Sequence, residues 1–230
     1  NILPFPTIVS WAGIDLLETD HKLNYGRAGV YGTRSANLVI QNSDLIISVG
    51  NRMSLLMTGY ERSEFARKAK VIQVDIDKEE LLKCKEKVEI SFNTDANKFI
   101  TETILYFKNN NIKFNEPKKW IINCEGYRKR YPFIGPEHED KNGFINSYKF
   151  MDKLSGHLNK NQVIITDTGT ALLSGHQALR LNKGQRLMTS TGLGEMGNGL
   201  PGAIGASFAL NKGEVICLNC DGGMMMNLQE

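Results

Sequence analysis

The chain has 230 residues, 41% hydrophobic and 23% charged, which is ordinary globular usage with length for one large or two modest domains. Its 28 basic and 25 acidic residues leave a net charge of +3 without a long single-sign block, so nothing points to a nucleic acid or an anionic membrane as partner. No apolar run approaches a membrane span of about 18 residues, the opening NILPFPTIVSW lacks a basic-then-apolar leader, and Cys84, Cys124, Cys217 and Cys220 are too few for a disulfide scaffold. The expectation is a cytoplasmic protein with reduced thiols.

Taken in chain order, TIVSW (7–11), DLIISVG (44–50), KVIQVDID (70–77) and VEISF (88–92) are rich in Val and Ile without strict polar alternation, the composition of strands buried on both faces of a parallel sheet. Between them RSANLVIQNS, ERSEFARKA and KEELLKCK have helix-forming composition. A helix over about 94–109 places Phe99, Ile100, Thr103, Ile104 and Phe107 in one apolar stripe. These elements predict a Rossmann-like α/β unit over 1–108. Residues 109–143 hold three of the six prolines and predict a surface linker with one helix around Trp120. A second α/β unit is predicted over 144–230, with strands at 162–167, 186–190 and 214–219 and helices at 147–158, after Thr170, and at 198–210. Three strands are few for a doubly wound sheet of about five or six, so the chain reads as part of something larger.

In this second unit each strand runs into glycine: ITDTGTALL, MTSTGLGEMGNGLPGAIGA and NCDGGMMMN. Parallel strands bring their C-terminal ends to one sheet edge, so the three loops should converge there. Glycine lets backbone N–H groups approach a phosphate, and a helix N-terminus favours the anion. Asp221 suits a hard cation better than a phosphate, and a Mg²⁺ bridging Asp221 to a diphosphate reconciles the two; the plain alternative is that Asp-Gly-Gly is a turn. Cys217 and Cys220 form a lone CxxC whose odd spacing within a strand aims the side chains at opposite faces, a poor zinc site. His176 reads as surface or structural, and Met224, Met225 and Met226 as core filler beside the loop. Asp75 is either a ribose partner or a helix cap, and Gly26, Gly29 and Gly32 either approach a nucleotide or form a turn.

TSTGLGEMGNGLPGAIGASFA followed by VICLNCDGGMMMNLQE resembles the cofactor-binding domain of thiamine-diphosphate-dependent enzymes, and among them the acetolactate synthase group. GRAGVYGTRSAN, NSDLIISVGNRM and TGYERSEFARKAKVIQVDIDKEEL resemble the middle domain of the same enzymes, so the resemblance covers nearly the whole chain. It implies an α/β fold of two Rossmann-like parallel-sheet units: a middle domain lacking its first strand and the first half of the diphosphate-binding domain. It also implies roles. Gly169 and Thr170 would touch the diphosphate, Asp221 would ligate Mg²⁺, and Gly222 and Gly223 would give backbone N–H bonds to phosphate. Met196 would wedge the cofactor into a bent shape, and the Gly194 carbonyl would accept a hydrogen bond from the aminopyrimidine.

The activity implied is decarboxylation of a 2-oxo acid such as pyruvate with carboligation to a second carbonyl, a step of branched-chain amino acid biosynthesis. In the family the activating glutamate comes from the N-terminal domain of a neighbouring subunit, so the resemblance implies no catalytic residue in this stretch. It implies a homodimer or homotetramer with the active site across subunits, and a fragment inactive alone. Two departures keep alternatives open. Thr170-Ala171 replaces the Gln-His of acetolactate synthases, as in a related 2-oxo acid decarboxylase or lyase. Cys220 replaces the first glycine of Gly-Asp-Gly, where a Cβ could strain the loop, as in a non-catalytic nucleotide-binding homologue. FAD is a further candidate for the middle domain, weakened because NRMSLLMTG keeps Arg52 and Gly59 but none of the family's aspartates.

Overall fold

The Val- and Ile-rich runs become strands, and all of them pair in parallel. The structure is a computed structural model and describes residues 3–83 and 87–230. Strands β1 (Thr7–Val9) and β2 (Asn24–Arg27) form a small separate sheet. Helix α1 (Arg34–Gln41) leads to β3 (Leu45–Val49), the short α2 (Leu55–Thr58), β4 (Lys70–Asp75), α3 (Lys78–Lys83), β5 (Ile90–Asn93) and α4 (Ala96–Asn109). The sheet order is β3-β4-β5, with Leu45 to Val49 in register with Lys70 to Val74. Asp95 caps α4 by accepting the Lys98 N–H at 3.0 Å.

Three local expectations change. ERSEFARKA is not an α-helix but a 3-10 turn at Arg62–Glu64, because the backbone turns extended at Phe65 and left-handed at Ala66 to bury both side chains. Strand β2, NYGR, has no apolar pattern, yet all four residues are buried. The Asn24 side chain makes this tolerable by donating to the Leu17 and Glu18 carbonyls and accepting the Gly26 N–H. The expected helix around Trp120 is α5 (Lys118–Arg130), but it does not stay on the surface, since its Cys124 is fully buried in a cluster with Tyr25 and Val39. Burial drives the Cys124 thiol up to about 12, which keeps it protonated. Cys84 and Lys85, the end of the expected KEELLKCK helix, lie outside the described residues.

The second unit runs α6 (Ser147–Ser155), β6 (Val163–Thr166), α7 (Thr170–Ala178), β7 (Arg186–Met188), α8 (Gly199–Ala209), β8 (Val215–Leu218) and α9 (Asp221–Met226). Its core joins Met151, Ile164, Ala178, Leu179, Leu181 and Leu187 to Ile14 from the first unit. The fold is α/β with small all-parallel sheets, in keeping with two Rossmann-like units. The strand order β7-β6-β8 places β7 on one side of β6 and β8 on the other. The connections therefore diverge at the C-terminal ends of β6 and β8, and such a switch point opens a crevice where ligands bind in α/β sheets. No helix among the described residues is long and apolar enough to cross a membrane.

Candidate cofactor site

The loops leaving β6 and β8 meet at that crevice. Gly169 is the N-cap of α7 with φ 71°, in the left-handed region that favours glycine, and the only atom near its missing Cβ is Cys220 Sγ at 3.6 Å. Thr170 is the first residue of α7 and, like Gly169, is exposed. The α7 N-terminus thus presents unpaired N–H groups beside the β8 loop, which is what an anion needs. Cys220 is the N-cap of α9 in ordinary extended backbone, φ −90° and ψ 157°, with its Sγ 3.5 Å from the Thr168 carbonyl. A Cβ at that position causes no backbone strain, so the expected conflict does not arise.

Asp221 follows at the first position of α9, exposed and with no hydrogen-bond or ion-pair partner among the described residues. Among those residues no three metal-ligating side chains cluster. A Mg²⁺ held by Asp221 would be a hard cation that readily takes phosphate and water oxygens among its ligands. Gly222 makes room for Met196, whose Cε lies 3.3 Å from the place of the missing Cβ, and Met196 is half exposed. Gly194 sits in the same loop with φ 66°, and its N–H closes the turn on the Ser190 carbonyl at 2.9 Å. Glu195 braces this turn by accepting the Ser190 hydroxyl at 2.7 Å, a bond that also lowers its carboxyl below the ordinary range.

Asp167 is the residue that ties these loops together, and the sequence reading passed over it. It is 1% exposed at the end of β6, and its carboxylate accepts the Gly197 N–H at 3.1 and 3.0 Å and the Thr168 N–H at 2.9 Å. Any Cβ on Gly223 would run into the same carboxylate, and one on Gly199 would run into Asp167 and Asn219. Asn227 reaches back from the end of α9 to donate to the Gly197 carbonyl at 2.7 Å. Gly197 is therefore gripped from both sides, and the β6, Gly197 and α9 segments share one register. The signal was available as a strand-terminal aspartate directly before Thr-Gly. Beneath the loops, the Asn219 carboxamide and the Thr166 hydroxyl are buried without partners among the described residues.

The remaining candidates resolve structurally. His176 is 1% exposed, stacks on Trp11 at 5.3 Å, and bonds the Leu172 carbonyl through Nδ1, and burial lowers it to about 4, so it is a neutral packing residue. Asp75 accepts the Asp77 N–H at 2.9 Å in the turn before α3, while Asp77 rather than Asp75 accepts from the helix at the Glu79 N–H, and Arg52 pairs with Glu80 at 3.3 Å. Gly29 has both backbone polar groups taken by Asn37 at 2.9 Å, which makes the Gly29–Gly32 stretch a turn, while Gly26 lies in β2. Cys217 is exposed on β8 and, like Cys124 and Cys220, is a free thiol.

Residues 2–103 match the family profile described as "Thiamine pyrophosphate enzyme, central domain", and residues 167–230 match "Thiamine pyrophosphate enzyme, C-terminal TPP binding domain". A flavin is supported neither by these profiles nor by the geometry at Arg52 and Asp75. The chain is 31% identical over 225 residues to the acetolactate synthase isozyme 1 large subunit of Escherichia coli (strain K12), covering 98% of this chain and 38% of that protein. It is 34% identical over 243 residues to a probable acetolactate synthase large subunit of Methanococcus aeolicus, covering 100% of this chain and 40% of that protein. The large subunit of Cyanidium caldarium is 31% identical over 232 residues, with 100% and 38% covered. The chain thus spans about two fifths of the length of the curated relatives it matches. With its central-domain and TPP-binding-domain matches in chain order, the chain belongs to the thiamine pyrophosphate enzyme family.

Proposed function

We propose that this chain supplies the diphosphate anchor of a thiamine-diphosphate- and Mg²⁺-dependent 2-oxo acid enzyme of the acetolactate synthase type. The observation that carries the reading is the meeting of Gly169, Cys220 and the unpartnered Asp221 carboxylate at the C-terminal ends of β6 and β8. The N–H groups at the start of α7 would hold phosphate oxygens, and Asp221 would hold the Mg²⁺ that neutralises them. Met196 would support the cofactor from below while the Gly194 carbonyl accepts from its aminopyrimidine. When bound, thiamine diphosphate supplies a carbon nucleophile for the 2-oxo acid carbonyl and a sink for the electrons left by CO₂ loss.

The relatives described as acetolactate synthases support this reading, with a 2-oxo acid such as pyruvate as donor and a second carbonyl as acceptor. The reading also entails a cytoplasmic homodimer or homotetramer in which a neighbouring subunit completes the site. A related decarboxylase is the second reading, favoured by Thr170-Ala171 directly after the anchoring glycine. The test is proton NMR of pyruvate incubated with the full-length protein, thiamine diphosphate and Mg²⁺, and then with each withheld. Acetolactate formed only with both supports the proposal. Acetaldehyde transfers it to the decarboxylase reading, and untouched pyruvate under all conditions removes pyruvate as the substrate.

A further inference from the structure

Arg27, the last residue of β2, is the bulkiest fully buried side chain of the described residues, 1% exposed, and it makes no salt bridge among them. Burial lowers its guanidinium to about 10, still cationic at neutral pH. Its donors go instead to the far end of α7. Nη1 donates to the Gln177 carbonyl at 3.1 Å, and Nη2 donates to the Leu179 carbonyl at 2.7 Å and to Thr19 Oγ1 at 3.0 Å. Thr19 Oγ1 in turn accepts the Leu181 N–H at 2.9 Å, and the guanidinium lies over the Phe133 ring at 5.1 Å. The last carbonyls of a helix lack internal partners and carry the negative end of its dipole, so a cationic fork is their natural complement. Two neighbours reinforce the grip: Gln177 Nε2 donates to the Tyr31 carbonyl at 2.6 Å, and Trp11 stacks on His176.

The opposite end of this same helix carries Gly169 and Thr170. A nine-residue helix is a stiff rod of about 14 Å, so fixing its C-terminal carbonyls fixes where its N-terminus points. An apolar side chain would fill the same volume with less desolvation cost, but it would not fix a direction. We propose that Arg27 is a positioning residue for the diphosphate site: it holds the C-terminal end of α7 and thereby lets the first unit set the placement of Gly169 and Thr170. This rests on reading the α7 N-terminus as the diphosphate anchor.

The test uses the full-length protein and the variants Arg27→Met, which fills the volume without donors, and Arg27→Lys, which keeps the charge without the fork. The first readout needs no cofactor: hydrogen exchange at the Leu173 amide, which closes the first turn of α7 on the Gly169 carbonyl at 3.0 Å. Arg27→Met should speed that exchange roughly tenfold and raise the calorimetric Kd for thiamine diphosphate with Mg²⁺ about as much, leaving exchange in β3 and β4 unchanged. Arg27→Lys should fall between, and it carries the test by itself if the methionine variant does not fold. Unchanged exchange at Leu173, or acceleration spread equally over β3 and β4, overturns the proposal. If Leu173 responds locally while the wild type binds no thiamine diphosphate, the positioning role stands and the cofactor reading of the site falls.

Discussion

The glycine clusters of the two units are alike in composition, and part of the second, at Gly169, Gly192 and Gly194, is used in the opposite way from the first. In the first unit, a Cβ on Gly29 would meet the Leu56 carbonyl oxygen at 2.5 Å, and one on Gly32 would meet the Ala28 carbonyl carbon at 2.6 Å and the Arg27 carbonyl oxygen. Those glycines make room for the chain's own backbone. In the second unit, Gly192 and Gly194 have nothing within 4 Å of the missing Cβ, and Gly169 has only the Cys220 sulfur. There the bare backbone faces open space that a ligand can enter. A glycine-rich pattern therefore does not identify a binding loop; what stands opposite the absent Cβ does.

Removing the clasp of the second cluster should have the largest effect. Asp167→Ala leaves the buried Gly197 N–H and the half-buried Thr168 N–H without an acceptor and should cost about 4 kcal/mol in urea unfolding of the full-length protein, with Asp167→Asn losing about half of that. A loss under about 1 kcal/mol would mean that the loops keep their register unaided. Acid should act next most strongly, through His176. Its folded value near 4 lies below the ordinary 6.5, so the unfolded chain binds the proton more readily and stability falls as pH drops between those values. The full loss is about 3 kcal/mol, complete near pH 4, and the adjacent Arg27 cation works in the same direction. His176→Phe should flatten this part of the profile; an unchanged acid limb would assign it to other groups.

The comparison between the clusters is sharpened by one methyl group placed in each. Gly29→Ala puts a Cβ against the Leu56 carbonyl at φ 127° and should destabilise by about 2 kcal/mol. Gly192→Ala meets open space at an ordinary φ and should leave stability within about 0.5 kcal/mol. Thermal unfolding of both variants checks the pair. Equal costs would remove the distinction between glycines that close a turn and glycines that leave a surface open.

How much of this was legible in the sequence follows the same physics. β4 and β6 could be read because burial on both faces demands Val and Ile in a continuous run, and β3 and β8 carry the same kind of apolar run although Leu45, Ile47 and Cys217 stay exposed. β2 could not, since its burial rests on Asn24 bonding the Leu17 and Glu18 carbonyls and on Arg27 finding partners as much as 152 residues away. The false helix at 61–69 had the right composition, but Phe65 and Ala66 are turned into the core by tertiary packing, which outweighs propensity. At the site, the glycines and Asp221 were visible as a pattern at strand ends. Asp167 was quoted within the same pattern but not weighed, because its importance lies in Gly197 and Gly223, 30 and 56 residues downstream.

The smallest effect concerns the position where the chain departs from its family. Cys220 stands where a glycine is expected, yet its backbone is extended and needs none of glycine's freedom. Cys220→Gly should therefore gain nothing at the site. It should instead cost about 0.5–1 kcal/mol, because the unfolded chain becomes more flexible and the sulfur contact to the Thr168 carbonyl is lost. The Kd for thiamine diphosphate with Mg²⁺, measured by calorimetry, should stay within about twofold, since the Asp221 carboxylate and the α7 backbone N–H groups are unchanged and the extended backbone at 220 does not require a glycine. A tenfold gain in affinity would show instead that the cysteine side chain obstructs the crevice, and that the β8 loop differs in use from the open glycines beside it.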